Sequence, residues 1–567
     1  MNLNELTIEQ INTFSVQQGA TALSKLREES YNAMEENEAL LMRILKDNKD
    51  TEIGKKYDFA SIESIEEYQK RLPVTTYDDY AEYVLRMINN NQSNLMTAYD
   101  VDLYCETNGT LGNPKIMPMS SNAIAVQNTY NSGVFNGIKG EELDPSWMKG
   151  RAMTLMECKM VEIKDGKKYG ALSSIMMSEM KPVLEKISST PFEALFPVGD
   201  TDARYLQARF ALAASDITQI NATFLSFVAE IMRYIETHWQ MLVDDIEKGT
   251  INQEIRMPDD VRNNLLAKIS PMPERAAELR KIFEEEMHTK IAVKIWKNLK
   301  LISGVGTGAF EIYDNKLKER YVDDSVKFFY AGISSTEAMF SVPLGMDIKD
   351  SALVPNSIFY EFLPVDANDD FSKIVTLDKV EVGKDYEIIM TNLSGLYRYR
   401  MRDCIKVMGM YNNLPLIRFQ YRIDQVVDLI DDHTSEIALT KTATDTAKKL
   451  GFELVDFSVF ADREAMPPKY IYLIEAVNIP DGIELGAIQK CINENLDKYN
   501  PELAAQIAKE MCAPADVHLL QEETYMLYRD LMVMKGRNSA QLKPVRIIIN
   551  ELQRRFFFGL VEKEWEA

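Results

Sequence analysis

At 567 residues, 46% of them apolar, the chain is too long for one hydrophobic core, and length alone points to roughly three to four domain-sized units. Acidic residues outnumber basic ones by 87 to 64, a net charge of −23, and so negative a surface repels nucleic-acid backbones and anionic membrane faces. No apolar run approaches the roughly 18 residues that span a bilayer, and Met1–Glu5 carries neither the basic start nor the apolar core of a signal peptide. A cytoplasmic protein with small-molecule partners is expected.

The first 90 residues read as helices broken by short turns. Leu23, Leu26, Met34, Leu41, Ile44 and Leu45 form a helical stripe, and Pro73-Val74-Thr75-Thr76 interrupts the pattern before Tyr77-Asp78-Asp79-Tyr80 opens another helix. From Leu95 to Cys105 an apolar segment leads into Thr107-Asn108-Gly109-Thr110-Leu111-Gly112-Asn113-Pro114-Lys115. Two glycines, two hydroxyls and a lysine in nine residues suit a phosphate: glycine lets backbone N–H groups approach an anion, hydroxyls donate hydrogen bonds, and lysine adds a point charge. The spacing is not that of a Walker loop. A surface turn is the plainer reading of the same residues. A strand before the loop and a helix from about Asn122 after it are the expected setting.

Arg151–Glu157 suits a strand, and two long helical patterns follow between about 203 and 247, with Phe224, Phe227, Ile231, Ile235 and Trp239 spaced for core packing. Residues 259–299 continue as helix before a strand at Leu301–Val305 and the glycines of Gly306-Thr307-Gly308. Strands alternating with helices indicate an α/β fold with mixed sheets and helical excursions.

Lys327–Gly332 reads as a strand ending in a turn, followed by Ser334-Ser335-Thr336-Glu337. Beyond the carboxyl end of a strand these side chains stand where α/β proteins bind ligands: Tyr330 against an adenine, Thr336 on a phosphate, Glu337 on magnesium. The competing reading is a helix start capped by Ser334 or Ser335. Further on, period-two alternation places Arg398, Arg400 and Arg402 on one strand face. Three guanidinium groups side by side require an anion opposite, and a nucleotide phosphate, an acyl carboxylate or neighbouring acidic side chains would each serve. Asp403 has the acceptor-only chemistry that two ribose hydroxyls require.

A domain boundary is expected near Arg422–Gln425, giving a large domain over 1–421 and a small, mobile α+β domain over 422–567. Asp431–Glu436 should start a helix that Gly451 stops. The last candidate is Lys543, in a basic loop from Gly536 to Arg546. Cys105, Cys158, Cys404, Cys491 and Cys512 are widely spaced, with no C-x-x-C pair, so free buried thiols are expected rather than a zinc site or a disulfide framework.

Taken in order, the glycine loop, Tyr330-Ala331-Gly332-Ile333-Ser334-Ser335-Thr336-Glu337, Gly395-Leu396-Tyr397-Arg398-Tyr399-Arg400 with Asp403, and Gln541-Leu542-Lys543-Pro544 resemble the acyl acid amido synthetases of the auxin-responsive, Gretchen-Hagen type. These are a branch of the acyl-adenylate-forming, firefly-luciferase-like superfamily, whose loop reads Ser/Thr-Ser-Gly-Thr-Thr-Gly-x-Pro-Lys. The resemblance runs from Leu72-Pro73-Val74-Thr75-Thr76-Tyr77 through Tyr360-Glu361-Phe362-Leu363-Pro364 to Lys543. It implies a MgATP-dependent ligase that adenylates a carboxylic acid and passes the acyl group to an amino acid. Thr107, Asn108, Gly109, Thr110 and Lys115 would lie on the ATP phosphates. Tyr330, Thr336 and Glu337 would hold adenine, α-phosphate and Mg²⁺. Asp403 would hold the ribose, Arg422 would stand at the hinge, and Lys543 would be the mobile catalytic lysine. Three departures stand out: Thr107-Asn108 replaces Ser-Ser, the loop is one residue shorter, and Arg402-Asp403 replaces Gly-Asp. A coenzyme A ligase, or a nucleotide-binding regulatory protein without turnover, are the alternative readings. Oligomeric state is not written in the sequence.

Overall fold

In the computed structural model, which describes residues 5–107, 115–287, 290–423, 427–430, 432, 434–537 and 542–562, two units each pack on themselves, Met1–Phe419 and Gln420–Ala567. In the first unit, helices and strands of three sheets contribute to a shared buried cluster. Leu23, Leu26, Leu41 and Ile44 from the amino-terminal helices Ile8–Glu29 and Ala33–Asn48 are buried in the same cluster as Tyr360 and Ile388 from the strands.

Strands β1 (Val101–Glu106) and β2 (Ile116–Ser120) form an antiparallel hairpin. After β3 (Arg151–Leu155), the short β4 (Glu162–Lys164) and β5 (Lys167–Gly170) extend that hairpin into a sheet of order β2-β1-β5-β4. Next, β6 (Ile217–Phe224), β7 (Leu301–Val305) and β8 (Lys327–Tyr330) join β3 in a parallel sheet of order β3-β6-β7-β8. The region around 203–247 is therefore not two helices in succession. The helix Ala203–Ala213 is followed by β6 and then by the helix Leu225–Lys248. A central parallel strand is covered on both faces, so its apolar residues lack alternation and merge with the helical pattern on either side. That second helix ends where Gly249 takes φ +65°, the left-handed conformation glycine adopts without strain.

The third sheet follows the order β11-β12-β13-β14-β10-β9, from β9 (Ser341–Val342), β10 (Ser351–Leu353), β11 (Phe359–Pro364), β12 (Asp385–Thr391), β13 (Tyr399–Tyr411) and β14 (Leu414–Arg422). The second unit opens within β14, two residues ahead of the boundary expected at Arg422. It contains a sheet of order β17-β16-β15-β18, made of β15 (Glu453–Asp462), β16 (Lys469–Val477), β17 (Asp516–Leu519) and β18 (Ile547–Ile548). Helices Glu436–Leu450 and Leu485–Tyr499 belong to the same unit. The first of these is capped by Ser435 and stopped by Gly451 at φ +78°, as the sequence indicates. All five cysteines are free and buried. No helix among the described residues is long and apolar enough to cross a membrane.

Candidate active site

The glycine loop is the connection of a hairpin. Glu106 pairs with Ile116, and Thr107 N–H donates to the Lys115 carbonyl at 2.9 Å, so Thr107 and Lys115 close the loop at its base. Asn108, Gly109 and Thr110 lie outside the described residues. The element after the loop is a strand, β2, before the expected helix starts at Ser121. Lys115 is exposed, with its Nζ 5.4 Å from the centre of the Tyr77 ring. The Tyr77 hydroxyl accepts from Ile116 N–H at 3.1 Å and thereby fixes the loop's outgoing limb.

Ser334-Ser335-Thr336-Glu337 forms a tight reversal, not the first turn of a helix. Ser334 pairs with Met339, Ser335 N–H donates to the Ala338 carbonyl at 2.9 Å, and Glu337 N–H donates to Ser335 Oγ at 3.1 Å. Pro343 lies only six residues past Glu337 and has no N–H to give, so a helix here would be cut short. The reversal leaves Thr336 and Glu337 half-buried.

Asn392, unremarked in the sequence, fastens these pieces together. It is 2% exposed, donates from Nδ2 to the Glu337 carbonyl at 3.0 Å, and accepts at Oδ1 from Ser394 N–H and Leu396 N–H, both at 3.0 Å. Two residues on, Ser394 Oγ accepts from Ser120 N–H at 3.1 Å, at the end of β2. The turn depends on Gly395, whose φ is +96° and where a Cβ would lie 2.7 Å from the Met96 backbone. Asn followed three residues later by glycine was the available signal. Cys105, two residues before Thr107, has its thiol pushed up to about 12, chiefly by burial and then by the Glu337 carboxylate.

The arginine face is resolved in favour of acidic neighbours at two positions. Arg398 is buried and donates to both Glu361 oxygens, at 3.0 and 2.9 Å, and to the carbonyls of Gln69 and Leu72 at 2.8 and 2.7 Å. Arg400 makes two 2.8 Å bonds to Glu387 and also pairs with Asp369; together these carboxylates raise its already high pKa against the opposing effect of burial. Strict alternation fails because Arg398 and Arg402 take φ +49° and +62°, and the β12–β13 register shifts between Glu387 and Ile389. The left-handed backbone at Arg402 explains why glycine suits that position. Asp403, next along β13, is buried at 8% exposure.

Tyr330, expected to lie against adenine, is enclosed instead, at 2% exposure. Its hydroxyl donates to Asp314 Oδ1 at 2.8 Å, and Asp314 is also paired with Lys318 and Lys349 at 3.1 and 3.0 Å. Burial and then the Asp314 charge raise the phenol's pKa well above its ordinary value. Its ring packs on Gly306, where a Cβ would approach to 2.9 Å. Among the described residues no group of three or more His, Cys, Asp or Glu is arranged to hold a metal ion.

In the second unit Lys543 is exposed, and Arg422 ends β14 half-buried. Burial pushes the Glu436 carboxyl up, while Arg546 and then Lys543 draw it back, which places Lys543 in the field of the helix that Ser435 caps. Arg546 itself is buried against Asp456 and the Phe457 carbonyl, the latter at 3.0 Å.

Residues 22–326 match the GH3 family N-terminal domain, 351–422 its central domain and 438–552 its C-terminal domain. Among curated relatives, an indole-3-acetic acid-amido synthetase of Arabidopsis thaliana, GH3.4, is 25% identical, with 93% of this chain and 91% of the relative covered. A 4-substituted benzoates-glutamate ligase of the same plant, GH3.12, is 24% identical, covering 92% and 94%. Among solved structures, an AtGH3.15 acyl acid amido synthetase in complex with 2,4-DB superposes with a TM-score of 0.84 at 20% identity, over 95% of this chain and 96% of that one.

Proposed function

Because the chain belongs to the GH3 family, we propose that it is an ATP-dependent acyl acid amido synthetase, an acid–amino acid ligase. In the first step a substrate carboxylate oxygen attacks the α-phosphorus of ATP and pyrophosphate leaves, giving an acyl-adenylate. In the second an amino acid's amine attacks the acyl carbon, AMP leaves, and the amine's surplus proton passes to solvent. Adenylation is needed because a bare carboxylate would have to expel an oxide.

The observation that supports this reading is the Asn392 turn, which ties the Glu337 reversal to the Ser120 end of the glycine-loop hairpin within one unit. In our assignment Thr107 and Lys115, with Asn108, Gly109 and Thr110, hold the phosphates, Thr336 donates to the α-phosphate, and Asp403 accepts from the ribose. Tyr330 acts through Asp314 and Gly306 to hold the end of β8, and does not itself touch the base. Glu337 is a single half-buried carboxylate, a donor set that fits Mg²⁺ only with phosphate oxygens and waters completing its shell. When bound, the ion would neutralise charge on the leaving pyrophosphate. Lys543 supplies positive charge to the first step, and rotation about the region of Arg422 then admits the amine. Acid-dependent exchange of labelled pyrophosphate into ATP, followed by mass spectrometry for amides after adding amino acids, tests the proposal. No exchange with any acid of a broad panel would overturn it.

A further inference from the structure

We infer that the start of the helix Leu225–Lys248 holds the α-carboxylate of the acceptor amino acid, an assignment that rests on the ligase reading above. The helix is 24 residues long, and the residue that enters it, Phe224, offers no capping side chain. In its first turn Ser226 is 9% exposed, and its Oγ is buried with no hydrogen-bond partner. Three residues earlier Thr223 Oγ1 is likewise buried and unpartnered. Buried hydroxyls are ordinarily satisfied, so two unsatisfied ones at one helix start call for an acceptor that the protein does not provide. No acidic side chain stands in the first turn to repel an anion, and the helix dipole favours one there.

The position is right for a substrate. Phe224 ends β6, and the carboxyl edge of a parallel sheet is where α/β proteins take their ligands. Phe224 pairs with Val305, and Gly306 just beyond separates the helix from β8: a Cβ there would lie 2.5 Å from Leu225 Cδ1 and 2.9 Å from Tyr330 Cδ1. The helix start thus shares an edge with the strand that leads to Thr336 and Glu337. Two substrate carboxylates compete for the assignment. That of the acid loses its charge on adenylation, so a fixed dipole stabilising it would hold back the first step. The amino acid's α-carboxylate keeps its charge throughout and gains from the dipole at every stage.

The test uses the full chain, with Ser226→Ala and Thr223→Val compared with wild type. Steady-state kinetics with the standard amino acids should show the KM for the amino acid rising about tenfold more than the KM for the acid. Wild type should also prefer each amino acid over its α-amide, and that preference should shrink by the same factor in the variants. Equilibrium dialysis with the labelled amino acids reads the same loss without turnover. If Ser226→Ala fails to fold, Ser226→Thr, which keeps the hydroxyl, and the wild-type amide comparison still decide. A larger rise in the KM for the acid, or equal losses for amino acid and amide, overturns the inference. Absence of pyrophosphate exchange beside a Ser226-dependent dialysis signal would overturn the ligase reading and leave this site standing.

Discussion

Glu361→Gln removes the negative half of an ion pair that water does not reach: side-chain exposure is 6% for Arg398 and zero for Glu361. With charge centres about 4 Å apart and an effective dielectric constant of about 20, the attraction lost is ~4 kcal/mol. That agrees with the roughly 3–5 kcal/mol found when one partner of a buried pair is removed. Unfolding entropy of roughly 2.1 cal/mol/K per residue, taken over the unit Met1–Phe419, amounts to ~0.9 kcal/mol/K, so the unit's Tm should fall by about 4–5 °C. Thermal unfolding followed by circular dichroism measures this. The double variant Glu361→Leu with Arg398→Met should recover most of the loss, because it buries no unpaired charge. KM for ATP should not move, since Arg398 is committed to Glu361, Gln69 and Leu72. A fall below about 1 °C, or a double variant no better than the single one, would refute the argument.

At Arg402, φ +62° strains any residue with a Cβ, so Arg402→Gly should be ~1 kcal/mol more stable than Arg402→Ala, read as a higher denaturant midpoint at unchanged slope. Lys139 lies between the rings of Phe135 and Trp147, and burial alone pushes its amine down to about 7. Between pH 7 and about 10.5 the unfolded chain therefore binds a proton that the folded chain lacks, and stability rises with pH through that window. Below pH 7 both states are protonated and the dependence vanishes. Lys139→Met should remove about one proton's worth of slope, measured as the difference between the two proteins' midpoints from pH 7 to 9.5. Lys543→Ala should slow acid-dependent pyrophosphate exchange by roughly 10²–10³ without changing Tm, because the side chain is exposed.

The family was legible as an ordered set of short motifs, because glycine, proline, hydroxyl and carboxylate positions encode local backbone geometry and donor chemistry. The Ser435 cap and the Gly451 stop were readable for the same reason: each acts within a few residues of itself. So was the absence of a disulfide framework, which spacing alone made improbable. Tertiary structure decided everything that depends on a distant partner. Arg398 and Arg400 present the same chemistry to a phosphate or to a carboxylate, and only folding brings Glu361, 37 residues away, against Arg398. The Ser334–Glu337 reversal is anchored by Asn392, 55 residues on, and the hairpin is docked by Ser394, 274 residues from Ser120. β6 stayed hidden because a strand covered on both faces carries no alternation for a linear reading to detect, yet it is β6 that carries Thr223 and leads into the helix that carries Ser226.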